Sequence, residues 1–237
     1  MFITIHRGNI ILSIATFVLC SIFLASIFTE RAQPVSTFGT PVSNKVFVID
    51  PGHGGIDAGA SEGSAIEKDL NLKIALYLKT FIEENGGTVV MTRITDTNTA
   101  DPQRPKTVSQ KKSDLTERKN LPQKVNADIF ISIHMNKFSD GQYKGAQVFC
   151  APNSNESKML GEAVQASLIK NADPNNTRQL KEGNSIFILK DQSITSILIE
   201  CGFLSNKEES ALLQTDGYQQ KVAWSIFMGL TQYLAEN

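Results

Sequence analysis

The 237-residue chain is 41% hydrophobic, enough for one large core or at most two small domains. Its formal net charge of −1 offers no basic face for nucleic acid and no strong electrostatic pull toward a membrane surface. Three scattered cysteines, Cys20, Cys150 and Cys201, are too few for a disulfide scaffold or a four-cysteine metal site.

Ile10 to Phe28 runs for 19 residues without a charge, with Arg7 before it and Glu30 and Arg31 after it. That length suits a membrane-spanning helix and is long for the apolar region of a signal peptide. No small-x-small cleavage site follows, which favours an uncleaved anchor over a cleaved signal. In either case the remainder of the chain is expected to be exported. The division expected is an anchor or signal segment over residues 1–30, a polar linker over 31–44 that includes Pro34 and Pro41, and one domain over 45–237.

Strand and helix signals then alternate. Val46 to Ile49 reads as a buried strand. Glu67 to Glu84 reads as an amphipathic helix, with Leu70, Ile74, Leu78 and Ile82 on one stripe and Gly86 and Gly87 ending it. Thr88 to Thr92 is a second strand, and Thr95 to Ser113 a long polar loop. A helix is expected over Asp114–Val125, capped at Ser113 or Asp114. Strands follow at Asp128–Ile133 and Gly145–Cys150, then a helix at Ser157–Lys170, a short strand at Ser185–Leu189 and a buried strand at Ser196–Ile199. Helices at Glu208–Leu213 and Tyr218–Ala235 close the chain. The alternation implies an α/β fold: a single domain with a mostly parallel twisted sheet and helices on both faces.

Three polar residues fall at strand ends. His53 follows the first strand within DPGHGG, His134 ends FISIH, and Glu200 ends ILIE. In open parallel sheets, ligands bind beyond the carboxyl ends of the strands, so the three are expected to converge. Glu67, at the start of the first helix after a glycine-rich loop, can fold back over the same edge. Two imidazoles and a carboxylate make a catalytic zinc set that leaves one position open, and a second carboxylate off the metal can move protons. Glu67 suits the ligand role. Glu200 suits the base role, because burial at the end of an apolar strand raises a carboxyl's pKa. Each residue also has a plainer reading: a loop histidine, a satisfied core histidine, a helix-dipole glutamate. Only their combination is specific. Asp50 is a candidate to orient the His53 ring or simply a strand-end turn residue. Arg93 could bind a peptide carboxylate or pair with Asp96, and Asn136 could contact substrate or shape the turn after His134. Cys201, next to Glu200 on a strand, points to the opposite side and is read as core.

DPGHGG at Asp50–Gly55, the glutamate of IEKDLNL, MTR at Met91–Arg93, SIHMN at Ser132–Asn136 and IECGFLSN at Ile199–Asn206 together resemble the zinc-dependent N-acetylmuramoyl-L-alanine amidases. The resemblance runs from about Lys45 to the C-terminus, with the motifs in family order, and is greatest toward the germination-specific, spore-cortex branch. It implies one zinc held by His53, Glu67 and His134, with Glu200 catalytic. It also implies cleavage of the amide between the lactyl group of N-acetylmuramic acid and L-alanine, a step toward muramic-δ-lactam in spore cortex needed for germination. The implied partners are peptidoglycan glycan strands and stem peptides, and the implied location is extracytoplasmic, in the forespore intermembrane space or cortex. Some members insert a blocking helix between the third motif and the catalytic glutamate; the short interval here, filled by other elements, leaves no room for one. Control is therefore expected from metal occupancy, expression or an activating partner protein. Rival readings are a zinc peptidase acting on another stem-peptide bond and a non-catalytic wall-binding protein. Thr95–Ser113 and Pro174–Asn184 are candidate partner or substrate surfaces.

Overall fold

The structure is a computed structural model that describes residues 16–21, 39–103 and 109–237. It divides into two units, Met1–Phe38 and Gly39–Asn237. In the first, residues 16–21 are helical. The apolar span Ile10–Phe28 lies mostly outside the described residues, among which no helix is long and apolar enough to cross a membrane.

The second unit is built on a six-stranded sheet. Its strands are β1 (Val46–Pro51), β4 (Thr88–Met91), β5 (Ile129–Asn136), β6 (Gln147–Cys150), β7 (Lys181–Glu182) and β8 (Thr195–Phe203), in the order β4-β1-β5-β8-β6-β7. β2 (Ser61–Glu62) and β3 (Ala65–Ile66) form a separate hairpin. All pairings in the large sheet are parallel except β6 against β8. The central strands read as continuous apolar runs because helices or loops cover both of their faces.

Period-two alternation sorts the strand residues. Phe47, Ile49, Ile131, Ile133, Ile197 and Ile199 join one core with the helices α1 (Glu67–Glu84), α3 (Asn155–Asn171) and α5 (Asp216–Glu236). The expected stripe of α1, Leu70, Ile74, Leu78 and Ile82, is buried in it. Val48, Phe130 and Leu198 face the other way, toward α2 (Gln110–Lys124) and a 3-10 turn at Phe187–Leu189. A short helix α4 (Lys207–Leu213) follows β8. Along the strand direction this second face changes from apolar to polar: Val48 gives way to Asp50, Phe130 to Ser132 and His134, and Leu198 to Glu200. α3 packs on the first face, away from these residues.

Two expected elements differ. α2 starts at Gln110 rather than Asp114, with Ser109 Oγ accepting from Lys112 N at 3.2 Å. Ser113 and Asp114 are taken up elsewhere: Ser113 Oγ accepts from Asp101 N, and the Asp114 carboxylate accepts from Thr99 N and Arg118. Ser185–Leu189 is not a strand. The chain turns through Phe187–Leu189, Asp191 sits in the left-handed region at φ 53°, and the edge strand is β7 instead.

Arg118 is the largest fully buried side chain. It pairs with Asp50 at 2.8 Å and with Asp114 at 2.8 Å, and its remaining donors reach the carbonyls of Pro51 and His53. Burial pushes the Asp50 carboxyl up, but the Arg118 charge and the Thr92 and Ser132 hydroxyls outweigh it and hold Asp50 below the usual range. Removing one partner of such a pair strands the other charge. Arg118→Leu is expected to cost about 3–5 kcal/mol of unfolding free energy in denaturant titration, and a cost under about 1 kcal/mol would contradict this role.

Candidate metal centre

The loop after β1 presents His53 in a strained conformation, φ 63°, a region that non-glycine residues seldom adopt. The strain is held by guanidinium groups on both sides. Arg118 Nη2 donates to His53 O at 2.7 Å, while Arg93 donates to Pro51 O, Gly52 O, Thr95 O and Lys68 O. Two glycines make room. A Cβ on Gly52 would lie 2.2 Å from the His134 ring, and one on Gly59, at φ 68°, would lie 2.5 Å from Glu67 Oε2.

Glu67 is brought over the sheet edge by the N-terminus of α1. That helix has no side-chain cap; its first N–H groups, Glu67 and Lys68, donate to Ala60 O and Ala58 O. The carboxylate is then fixed from several directions. Oε2 accepts from Ala60 N at 2.7 Å, and Oε1 from Met135 N at 3.1 Å. Oε1 also lies 3.2 Å from His53 Nε2 and 3.0 Å from His134 Nδ1. The two imidazole rings meet edge to face, 5.0 Å between centroids. One donor atom from each of His53, Glu67 and His134 falls within 4.8 Å of the others, a grouping that could hold a metal ion. Burial pushes the Glu67 carboxyl up, but hydrogen bonds from His134 and His53 outweigh it and hold Glu67 far below the usual carboxylate range, so it stays ionised. His134 is correspondingly raised: burial lowers it, and the Glu67 carboxylate more than compensates.

Glu200 is the direct cross-strand neighbour of His134 in the β5–β8 register. On its other side it faces Gln147 of β6. Burial pushes its carboxyl up to about 7, with the nearby Glu67 charge adding to the rise and the His134 charge opposing it. Its Oε2 is buried without a hydrogen-bond partner among the described residues.

The structure thus brings His53, Glu67, His134 and Glu200 to one place and leaves the other three candidates in different surroundings. Asp50 accepts from Thr92, Ser132 and Arg118 and does not reach the His53 ring. Asp57 stands there instead, with Oδ2 3.1 Å from His53 Nδ1, a contact outside hydrogen-bonding geometry. Arg93 is 4% exposed and its guanidinium bonds backbone carbonyls of the loop, while Asp96 pairs with Lys68. Asn136 ends β5 half-buried, its carbonyl accepting from Leu204 N. The sequence reading missed Arg118 and Asp57. For Asp57, the four-residue offset from His53 is the only signal present.

A carboxyl with a raised folded-state pKa takes up protons on folding, so it lowers stability as pH rises from its unfolded value toward about 7. In metal-free protein, Glu200→Gln is therefore expected to raise Tm at pH 8 relative to wild type, and the gain is expected to shrink by pH 5. Thermal unfolding at the two pH values checks this, and an equal effect at both would contradict it.

The N-acetylmuramoyl-L-alanine amidase family model matches residues 47–232. The germination-specific N-acetylmuramoyl-L-alanine amidase of Bacillus subtilis is 38% identical over 197 residues, covering 83% of this chain and 82% of that protein. Among solved structures, the CwlD amidase from Clostridioides difficile in complex with the GerS lipoprotein superposes with a TM-score of 0.78 at 40% identity, covering 82% of this chain and all of that one. A second N-acetylmuramoyl-L-alanine amidase, from Clostridium difficile 630, gives 0.70 at 30% identity over 81% of this chain and 98% of that one. With a family model spanning most of the chain, and two histidines and two glutamates gathered at one edge of the sheet, the chain belongs to the N-acetylmuramoyl-L-alanine amidase family.

Proposed function

We propose that the chain is a zinc amidase in which His53, Glu67 and His134 hold the metal and Glu200 moves the protons, cutting the amide between the lactyl group of N-acetylmuramic acid and L-alanine. The observation that carries this is the pairing of His134 with Glu200 across β5 and β8: one faces the ionised Glu67, and the other is a carboxyl with an unpartnered buried oxygen. The donor set fits zinc. It offers two imidazoles and one ionised carboxylate, with Asp57 beside the far nitrogen of one ring. A buried carboxylate oxygen is expected to have a hydrogen-bond partner. That Glu200 Oε2 has none among the described residues supports a partner that arrives with the reaction.

Zinc bound at the three donors would supply a Lewis acid for the amide carbonyl and acidify a nearby water. Glu200 Oε2 accepts the proton of the water that adds to the carbonyl carbon. It then returns that proton to the amide nitrogen as the C–N bond breaks and the stem peptide leaves with a free amine. A carboxyl near 7 in the metal-free site shifts down beside a divalent cation, so it is ionised at neutral pH yet basic enough to carry a proton. Asp57, 3.1 Å from His53 Nδ1 on the side of the ring away from Glu67, is placed to accept a hydrogen bond from that nitrogen once the ring binds metal through Nε2.

The likeness to the germination-specific amidase supports a place for this chain in spore cortex, acting outside the cytoplasm. There, stem-peptide removal leads toward muramic-δ-lactam. Tethering by the apolar segment Ile10–Phe28 is part of the same reading. The C. difficile enzyme was solved with a lipoprotein bound, which supports a partner protein here as well.

Purified protein is expected to bind about one zinc, and Glu200→Gln to keep that zinc while kcat falls on the order of 10³-fold. Mass spectrometry of digested peptidoglycan should show stem peptides beginning at a free L-alanine; fragments cut within the stem would mark a peptidase instead. Asp57→Ala is expected to weaken zinc binding about 10–100-fold in a chelator competition, and unchanged affinity would remove it from the ring-orienting role.

A further inference from the structure

Across the edge of the sheet, the site has two flanks. Beyond His53 lies a cavity of about 220 Å³, lined by Lys111, Arg118, Phe187 and Leu198 among others. Beyond Glu200 lies an open aromatic surface that the chemistry above leaves unused. Phe203 closes β8 three residues after Glu200, a distance of about 10 Å at strand rise. It is fully buried, and the Arg178 guanidinium lies over its ring, 4.3 Å from the centroid. Phe138, four residues after His134, meets Phe203 edge-on at 5.2 Å and Tyr143 at 5.1 Å. Phe138 and Tyr143 are 46% and 43% exposed, unusual for two large rings in one cluster.

The cluster is built. Arg178 Nε donates to Lys144 O at 2.7 Å, and Nη1 donates to Gln147 Oε1 at 3.2 Å, which ties Arg178 to the strand position directly opposite Glu200. Cross-strand neighbours stand about 5 Å apart, so the guanidinium is one side chain removed from Glu200. Phe138 N donates to Ser205 Oγ, and Asn206 Nδ2 to Gly141 O, pinning the loop that carries both exposed rings over the end of β8. Arg178 belongs to the segment Pro174–Asn184 that the sequence marked as a candidate surface.

We propose that Phe138 and Tyr143, backed by the buried Phe203 and flanked by Arg178, form a shelf for the glycan strand, taking the sugars next to the muramic acid whose amide is cut. The proposal rests on the amidase reading and adds where the polymer lies. A sugar ring presents an apolar C–H face that stacks on aromatic rings, and its hydroxyl and N-acetyl oxygens accept hydrogen bonds from a guanidinium. A polymer continuing in both directions needs an open surface, which this flank offers. The narrower flank beyond His53, lined by Asp50, Asp57 and Asp114 as well as Lys111 and Arg118, leaves the stem peptide a polar, charged cleft. Continuity with Glu200 through Gln147 favours glycan over a protein partner as the occupant.

The test compares cleavage of multi-disaccharide glycan chains bearing stem peptides with cleavage of a single N-acetylmuramoyl-peptide. Wild type is expected to prefer the chains, read as the ratio of kcat/KM values. In Phe138→Ala/Tyr143→Ala that preference is expected to fall about tenfold, through KM for the chains. Phe138→Tyr/Tyr143→Phe, which keeps both rings, is expected to retain it and guards against misfolding. An unchanged ratio in the alanine variant overturns the shelf and leaves the rings as a protein contact. Wild type that cuts within the stem peptide and leaves the muramoyl–alanine amide intact would sink the amidase reading itself.

Discussion

The parallel pairing of β5 with β8 is the constraint on which the site depends. It sets His134 directly opposite Glu200, with a register irregularity immediately beyond, between His134 and Asn136. A one-residue slip would turn one of the two into the isoleucine core on the far face. The apolar residues before them, Phe130, Ile131, Leu198 and Ile199, fix that register by burial on both faces. The cost of placing a carboxylate at the end of such a strand is visible in its raised pKa and unpartnered oxygen.

The second constraint is the arginine clamp on the glycine loop. Arg93 and Arg118 bond the carbonyls of three successive residues, Pro51, Gly52 and His53, and hold His53 at a backbone angle that costs on the order of 1 kcal/mol or more. The Asp50 carboxylate, held by the Thr92 and Ser132 hydroxyls, neutralises Arg118 from the strand side. The geometry of the site is thereby coupled to core stability: the groups that keep β1 and α2 together also aim His53 at Glu67. Guanidinium suits this task because its donors spread in a fixed fork and it stays charged when buried.

Much of this was legible in the sequence. Short apolar runs ending in His, His and Glu mark three strand ends, and α1 announces itself by the spacing of Leu70, Ile74, Leu78 and Ile82. What stayed hidden involves partners without a sequence pattern. The bonds of Arg93, and those of Arg118 to Pro51 O and His53 O, go to backbone carbonyls, and a carbonyl has no residue type. Asp50 is adjacent in sequence to the loop but sits on the strand, where alternation turns it toward Ser132 and Arg118; Asp57, beyond the turn, reaches the ring instead. Ser185–Leu189 has strand-like composition, yet Ile188 and Leu189 are buried against α2, and the segment curls into a 3-10 turn there. Ser113 and Asp114 look like helix caps but are drawn to the preceding loop, which shifts the start of α2 to Ser109.

Amide hydrolysis at this site requires His134 to enter a metal's coordination shell while its cross-strand neighbour Glu200 stays outside it. Zinc-edge X-ray absorption on the zinc-loaded protein reads that shell directly. The prediction is two imidazole nitrogens at about 2.0–2.1 Å and carboxylate or water oxygens completing four ligands, with a spectrum unchanged in Glu200→Gln. A shell that loses an oxygen ligand in Glu200→Gln, or that holds fewer than two imidazoles in the wild type, would contradict it.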